Sequence, residues 1–142
     1  MSNIKAFNRV LIIDDDSTSV YLTKITLEEM DLAEQILRAK NGQEGLAQIK
    51  QYCLNEQAAS IECPDLILLD INMPVMNGFE LLDELQQLSQ TSHMQIKVVA
   101  LSTSFNPRDI EKIRSFAITD YLEKPITEDK ILSLVHASYR RI

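Results

Sequence analysis

The sequence predicts an α/β domain, a (βα)5 doubly wound parallel sheet with five strands and five helices in alternation. Short aliphatic runs recur along the chain, continuous rather than alternating with polar residues, as expected of strands covered on both faces. Longer stretches with apolar residues three and four apart separate them. Right-handed crossovers between such units stack the strands in parallel and place helices on both sides.

The first strand is Arg9-Val10-Leu11-Ile12-Ile13. Asp16, Ser17 and Thr18 then offer N-caps for a helix running to about Met30. Ile36-Leu37-Arg38-Ala39 is a second, weaker strand, broken by Asn41-Gly42. A helix follows with Leu46, Ile49 and Cys53 on one face. Asp65-Leu66-Ile67-Leu68-Leu69 is the third and most apolar strand. After the turn Asn72-Met73-Pro74-Val75-Met76-Asn77-Gly78 comes a helix striped by Leu81, Leu82, Leu85 and Leu88, with Met73 and Met76 expected as packing residues. Ile96 to Leu101 is the fourth strand, and Pro107, a good first-turn residue, opens a short helix carrying Ile110 and Ile113. Tyr121-Leu122 marks a short fifth strand, and Ile131, Leu134 and Val135 stripe the last helix. The connection from about Leu54 to Pro64 is longer than most of its kind, and either extends the second helix or forms a surface loop.

At 142 residues the expectation is one domain, residues 1–142 with a core over about 8–140, and no output domain after the last helix. Hydrophobic residues make up 45% and charged residues 25%, an ordinary globular mix that argues against disorder. The net charge of −7, with no long basic run, argues against direct nucleic-acid binding. Nothing approaches the ~18 consecutive apolar residues of a membrane span. Met1-Ser2-Asn3-Ile4-Lys5 lacks the basic and apolar regions of a signal peptide, so a soluble, cytoplasmic domain is expected. Cys53 and Cys63 make neither a disulfide framework nor a zinc spacing, and Cys53 is expected as a small buried hydrophobe. His93 and His136 stand far apart, leaving a cysteine nucleophile without support.

In an open parallel sheet, ligands bind beyond the carboxyl ends of the strands. There the chain carries Asp14-Asp15-Asp16 after the first strand, Asp70 after the third, Ser102-Thr103 after the fourth and Lys124-Pro125 after the fifth. Carboxylates gathered at one rim repel unless a cation intervenes, and hard oxygen donors suit Mg2+ acting with a phosphate. Asp14, Asp15 and Asp70 could hold such an ion. Asp70 could attack phosphorus as a carboxylate nucleophile, with Lys124 pairing one phosphoryl oxygen and Ser102 donating to another.

The pieces Leu11-Ile12-Ile13-Asp14-Asp15-Asp16-Ser17, Leu68 to Gly78, Ala100-Leu101-Ser102-Thr103 and Asp120-Tyr121-Leu122-Glu123-Lys124-Pro125 occur in this order. In them the chain resembles the receiver domain of two-component response regulators, of chemotaxis type. The resemblance implies a flavodoxin-like sheet of order 2-1-3-4-5. It implies that Asp70 accepts a phosphoryl group from a histidine kinase or a histidine phosphotransfer protein. Asp15 and Asp70 would bind Mg2+, or another divalent cation such as Mn2+, with the backbone carbonyl of Asn72 as third ligand and Asp14 helping. Ser102 takes the hydroxyl switch position and Tyr121 the aromatic one. Asn72 and Ser104 lie where relatives tune dephosphorylation, and the Lys124–Pro125 bond is expected to be cis. The output surface would be the fourth helix, fifth strand and fifth helix, signalling to a downstream protein target; a phosphorylation-dependent dimer is compatible with it. Ala117-Ile118, where the family often has a small Gly-Ala pair, departs from the pattern.

Plainer readings compete at each residue. Asp16 is expected to be only a helix cap, and Tyr121 could be an ordinary core aromatic. Asp14-Asp15-Asp16-Ser17-Thr18 also fits the Asp-x-Asp-x-Thr of haloacid-dehalogenase-type Mg2+ phosphatases, with Asp14 as nucleophile and Asp16 as acid/base, though Asp70 would then have no role. Flavin or dinucleotide binding lacks its Gly-rich loop, because the three glycines are Gly42, Gly45 and Gly78. A receiver that docks without phosphorylation is the remaining alternative. The reading adopted is a phospho-switch that catalyses only its own phosphorylation and dephosphorylation.

Overall fold

The computed structural model describes residues 6–54, 63–73, 76–92, 97–116 and 119–140. In chain order the elements are β1 (Phe7–Ile13), α1 (Ser17–Glu29), β2 (Ala33–Ala39), α2 (Gly42–Cys53), β3 (Leu66–Asp70), α3 (Gly78–Ser92), β4 (Lys97–Ser102), α4 (Pro107–Arg114), β5 (Thr119–Glu123) and α5 (Glu128–Arg140). All neighbouring strands run parallel, in the order β2-β1-β3-β4-β5.

The central strands are apolar throughout because consecutive residues serve opposite faces. Val10, Ile12, Leu66, Leu68, Val99 and Leu101 pack with Val20 and Leu27 of α1 and Ile131 and Leu134 of α5. Leu11, Ile13, Ile67, Leu69 and Val98 pack on the other side with Ile49 of α2 and Leu81, Leu82 and Leu85 of α3. A smaller cluster of Ile71, Ala100 and Ile113, joined by Phe79, Phe105 and Tyr121, seats α4. Met73 is buried and Met76 packs beside it, as expected of packing residues.

Strand ends differ from the sequence expectation where polar groups decide them. β3 starts at Leu66 rather than Asp65, whose carboxylate accepts the backbone N–H of Asn8 at 2.9 Å and of Arg9 at 3.1 Å. The two edge strands are longer than their apolar runs: β2 pairs back to Ala33 and β5 forward to Glu123. An edge strand covers less of the core, so polar residues such as Glu34 and Gln35 fit within it without an apolar signature.

α2 ends at Cys53 with Leu54 as its cap. The part of the long connection over 55–62 lies outside the described residues, as do Ala117-Ile118 and Pro74-Val75. One expectation is overturned: Cys53 is not a lone buried hydrophobe but forms a disulfide with Cys63, their Cα atoms 4.6 Å apart. The pairing joins the end of α2 to the approach of β3, a juxtaposition of two chain segments that helical register cannot reveal. Among the described residues no helix is long and apolar enough to cross a membrane.

Candidate functional site

Because the strands are parallel, their carboxyl ends share one edge of the sheet. Asp14 follows β1, Asp70 ends β3, Ser102 ends β4 and Lys124 follows β5. Asp14 is almost wholly buried, at 1% exposure. Its backbone N–H donates to the carbonyl of Ala39 at 3.1 Å, so the β1–β2 ladder extends to hold it. Both its carboxylate oxygens are engaged. Oδ1 accepts the Asp16 N–H at 2.9 Å, and Oδ2 accepts the Lys124 ammonium at 2.7 Å.

Asp70 is also buried. Its Oδ1 accepts the Asn72 N–H at 3.0 Å, and its Oδ2 lies 3.6 Å from Lys124 Nζ. One ammonium thus stands against two buried carboxylates. Exposed Asp15 completes the group: Asp14, Asp15 and Asp70 each offer a carboxylate oxygen within 4.8 Å of the others. Burial pushes the Asp70 carboxyl above its ordinary value, and the charge of Asp14 adds to the rise; the Asn72 N–H and the Lys124 charge oppose it without cancelling it. The site therefore carries more negative charge than its own cation neutralises. Three hard carboxylates short of positive charge are a donor set that fits Mg2+.

The raised value means the folded protein keeps the Asp70 proton to higher pH than the unfolded chain. The resulting penalty is absent below the unfolded-state value and grows as pH rises through the folded one. Asp70→Asn is expected to melt several degrees higher than the unsubstituted protein near neutral pH without divalent cation. That is the scale of relieving a buried group of about 1–3 kcal/mol of desolvation. Melting curves from strongly acidic to neutral pH check this, and a gap that does not open as pH rises through and above the carboxylate range disproves it.

Ser102 is 1% exposed. Its hydroxyl donates to the Ser104 carbonyl at 2.8 Å and accepts the Ser104 N–H at 3.1 Å and the Asn72 side-chain amide at 2.9 Å. Asn72 and Ser104, singled out at separate positions in the sequence, thus meet on one hydroxyl. Tyr121 sits on the other side of β4, half-buried, its ring edge-on to Phe105 at 5.2 Å. With Pro107, Ile110, Glu111 and Arg114 it lines a groove of about 500 Å³ between α4 and β5. The Lys124–Pro125 bond is cis, as the resemblance implied.

Asp16 caps α1 through its Oδ1, which accepts the Thr18 N–H at 3.0 Å. Asp16 thus has the capping role expected of it, and Asp14 is held between the Asp16 N–H and Lys124. Two basic residues that the sequence did not single out border the site. Arg38 Nη2 donates to the Asp14 carbonyl at 3.3 Å and to Ser17 Oγ at 3.4 Å. Lys130 contacts the backbone on both sides of Lys124. A readable signal existed for each: a cation inside an aliphatic strand, and a cation in the first turn of a helix, where the dipole disfavours it.

A family model described as the response regulator receiver domain matches residues 10–136. The protein PilH of Pseudomonas aeruginosa is 33% identical over 129 residues, spanning 91% of this chain and 95% of that protein. The cell cycle response regulator CtrA of Brucella ovis is 29% identical over 133 residues, which are 94% of this chain but only 50% of CtrA. A two-component response regulator from Cytophaga hutchinsonii superposes with a TM-score of 0.82 at 28% identity, covering 98% of this chain and all of that one.

Proposed function

The chain belongs to the response regulator receiver family, and from that premise we propose that it is a phospho-switch whose acceptor is Asp70. Receiver domains are signalling modules that bind Mg2+ at an acidic cluster and act with histidine kinases and downstream targets. The observation that carries the reading is the convergence of Asp14, Asp15 and Asp70 on one rim, with Lys124 between the two buried carboxylates.

A carboxylate oxygen of Asp70 bonds to phosphorus while the bond to the donor's imidazole nitrogen breaks, and the imidazole leaves. The donor is a histidine kinase or a histidine phosphotransfer protein. Asp14, Asp15, Asp70 and the Asn72 carbonyl are the groups that would hold Mg2+ or Mn2+; the ion, when bound, supplies positive charge to the phosphoryl oxygens. Lys124 is placed to pair with a phosphoryl oxygen. The Ser102 hydroxyl trades its bond to the Ser104 carbonyl for one to the phosphoryl group, and Tyr121 turns toward the space that Ser102 leaves. α4, β5 and α5 then present a changed surface to a downstream protein, whose affinity shifts by its difference in binding to the two states. Asn72 and Ser104, through their hold on Ser102, set how long the phosphoryl group lasts. No external substrate is turned over.

Incubation with Mg2+ and acetyl phosphate, followed by intact mass, tests the reading. One phosphoryl adduct is expected on the unsubstituted protein and none on Asp70→Asn or in EDTA. An adduct that survives in Asp70→Asn and disappears in Asp14→Asn would overturn it in favour of the phosphatase chemistry.

A further inference from the structure

We infer that Lys130 is a positioning residue for Lys124; the inference rests on the role just proposed for Lys124 and extends it to the turn that aims it. The Lys130 ammonium donates to the Glu123 carbonyl at 2.6 Å and to the Pro125 carbonyl at 3.0 Å. These are the backbone oxygens immediately before and after Lys124, so a single cation grips the backbone on both sides of it.

Further observations give that grip a purpose. Lys130 lies in the first turn of α5, which opens with Glu128 and Asp129. A cation there faces the positive end of the helix dipole. In a chain with 21 acidic residues, its contacts among the described residues are nonetheless two carbonyls rather than a carboxylate. The backbone of Lys124 is anchored on its other side by β4, its N–H donating to the Ser102 carbonyl at 2.8 Å. Toward α1 a cavity of about 270 Å³, lined by Asp16, Thr18, Leu22, Thr103 and Ile126, borders Lys124, while Ile126 itself enters the core. With the sheet on one side and a cavity on another, the link to α5 adds a second polar anchor to the turn beside the buried Ile126.

A lysine side chain has four rotatable bonds, so holding Nζ at 2.7 Å from Asp14 and 3.6 Å from Asp70 depends on where its backbone starts. Loosening the turn moves that origin and leaves the ammonium's chemistry intact. Lys130 therefore acts on phosphorylation only through Lys124.

The test is a double-substitution cycle read in two ways. Lys130→Met keeps the apolar stem and removes the donors; Lys130→Arg keeps the charge. With acetyl phosphate and saturating Mg2+, Lys130→Met is expected to slow adduct formation about tenfold, within the up to ~100-fold that ~1 Å of misplacement can cost. Lys130→Arg is expected to recover most of the rate. In a Lys124→Ala background, Lys130→Met is expected to change the rate no further. An unchanged rate in folded Lys130→Met, or the same fold-loss in both backgrounds, overturns the inference. The second readout needs no phosphorylation: the fall in unfolding midpoint from Lys130→Met should be larger with Lys124 present than in Lys124→Ala. Should the unsubstituted protein take up no phosphoryl group, the acceptor reading fails. The midpoint cycle then decides the positioning role by itself, equal falls in the two backgrounds refuting it.

Discussion

Replacing Lys124 by Ala is expected to destabilise the metal-free protein by about 3–5 kcal/mol, the cost of removing one partner from a buried ion pair, and Mg2+ is expected to restore a large part of the loss. Lys124 is 11% exposed and Asp14 1%, so the substitution strips Asp14 of its ion-pair partner in a largely buried setting. Asp70, already pushed up by burial and by Asp14, loses the charge of Lys124 that pulls it down, so its carboxyl rises further. The sign of the pH dependence follows. Below the carboxylate range Asp70 is protonated in folded and unfolded chains alike and the substitution costs least. As pH rises toward neutrality the folded variant must either hold the proton or bear two adjacent charges, and the deficit grows. A divalent cation stabilises any state that binds it in proportion to its affinity. The variant, with no internal cation competing for Asp14 and Asp70, should gain more from Mg2+ than the unsubstituted protein does. Denaturant unfolding at neutral and mildly acidic pH, with Mg2+ and with EDTA, measures all of this through the midpoint at unchanged slope. Equal stabilisation of both proteins by Mg2+ would mean that Lys124 and the cation do not share the same carboxylates.

Gly78→Ala is expected to cost about 3 kcal/mol, at the top of the ordinary overpacking range, and to lower the unfolding midpoint by roughly ten degrees. An added Cβ would stand 2.5 Å from Ile71 Cα and 3.0 Å from the Asp70 carbonyl oxygen. Both are backbone atoms that no rotamer change can remove. The same contact explains why glycine opens α3: the chain folds back so closely on the end of β3 that the Gly78 N–H reaches the Ile71 carbonyl at 3.2 Å. Ile71 follows Asp70 directly, so the strain falls on the acceptor's own backbone and phosphorylation should slow as well. Gly45 is the control. Its added Cβ would meet side-chain atoms alone, Ile13 Cδ1 at 2.6 Å, Cγ1 at 3.0 Å and Cγ2 at 3.3 Å, so the buried isoleucine rather than backbone has to give way. In addition, Ala gains about 1 kcal/mol of helix propensity over Gly. Gly45→Ala should therefore lose less than Gly78→Ala. Paired melts decide the matter; similar losses at the two positions would show that crowding at Gly78 is relieved elsewhere.

Much of this molecule is legible without coordinates. The strands of the sheet's centre announce themselves because a strand covered on both faces must be apolar at every position, as Leu66 to Leu69 are. Once the strands are parallel, Asp14, Asp70, Ser102 and Lys124 are bound to share one edge, because each directly ends or follows a strand. Helix starts are equally local: Asp16, Asn41 and Asn106 each cap a backbone N–H two or three residues on. The edge strands extend beyond their apolar runs because β2 and β5 need apolar residues on less of their surface.

What the sequence determined by itself is the alternation of elements and the residue types at the strand ends, since periodicity, capping and propensity act over a few neighbouring residues. The tertiary structure alone decided which of those end groups touch. Lys124 reaches Asp14 across 110 residues and Asn72 reaches Ser102 across 30, while Cys53 meets Cys63 where the end of α2 comes beside the start of β3. Lys130 grips the turn around Lys124 because α5 packs back against the sheet. Such contacts depend on how crossovers stack and how far each strand extends, and no local pattern encodes a distance between segments that only the packed core brings together.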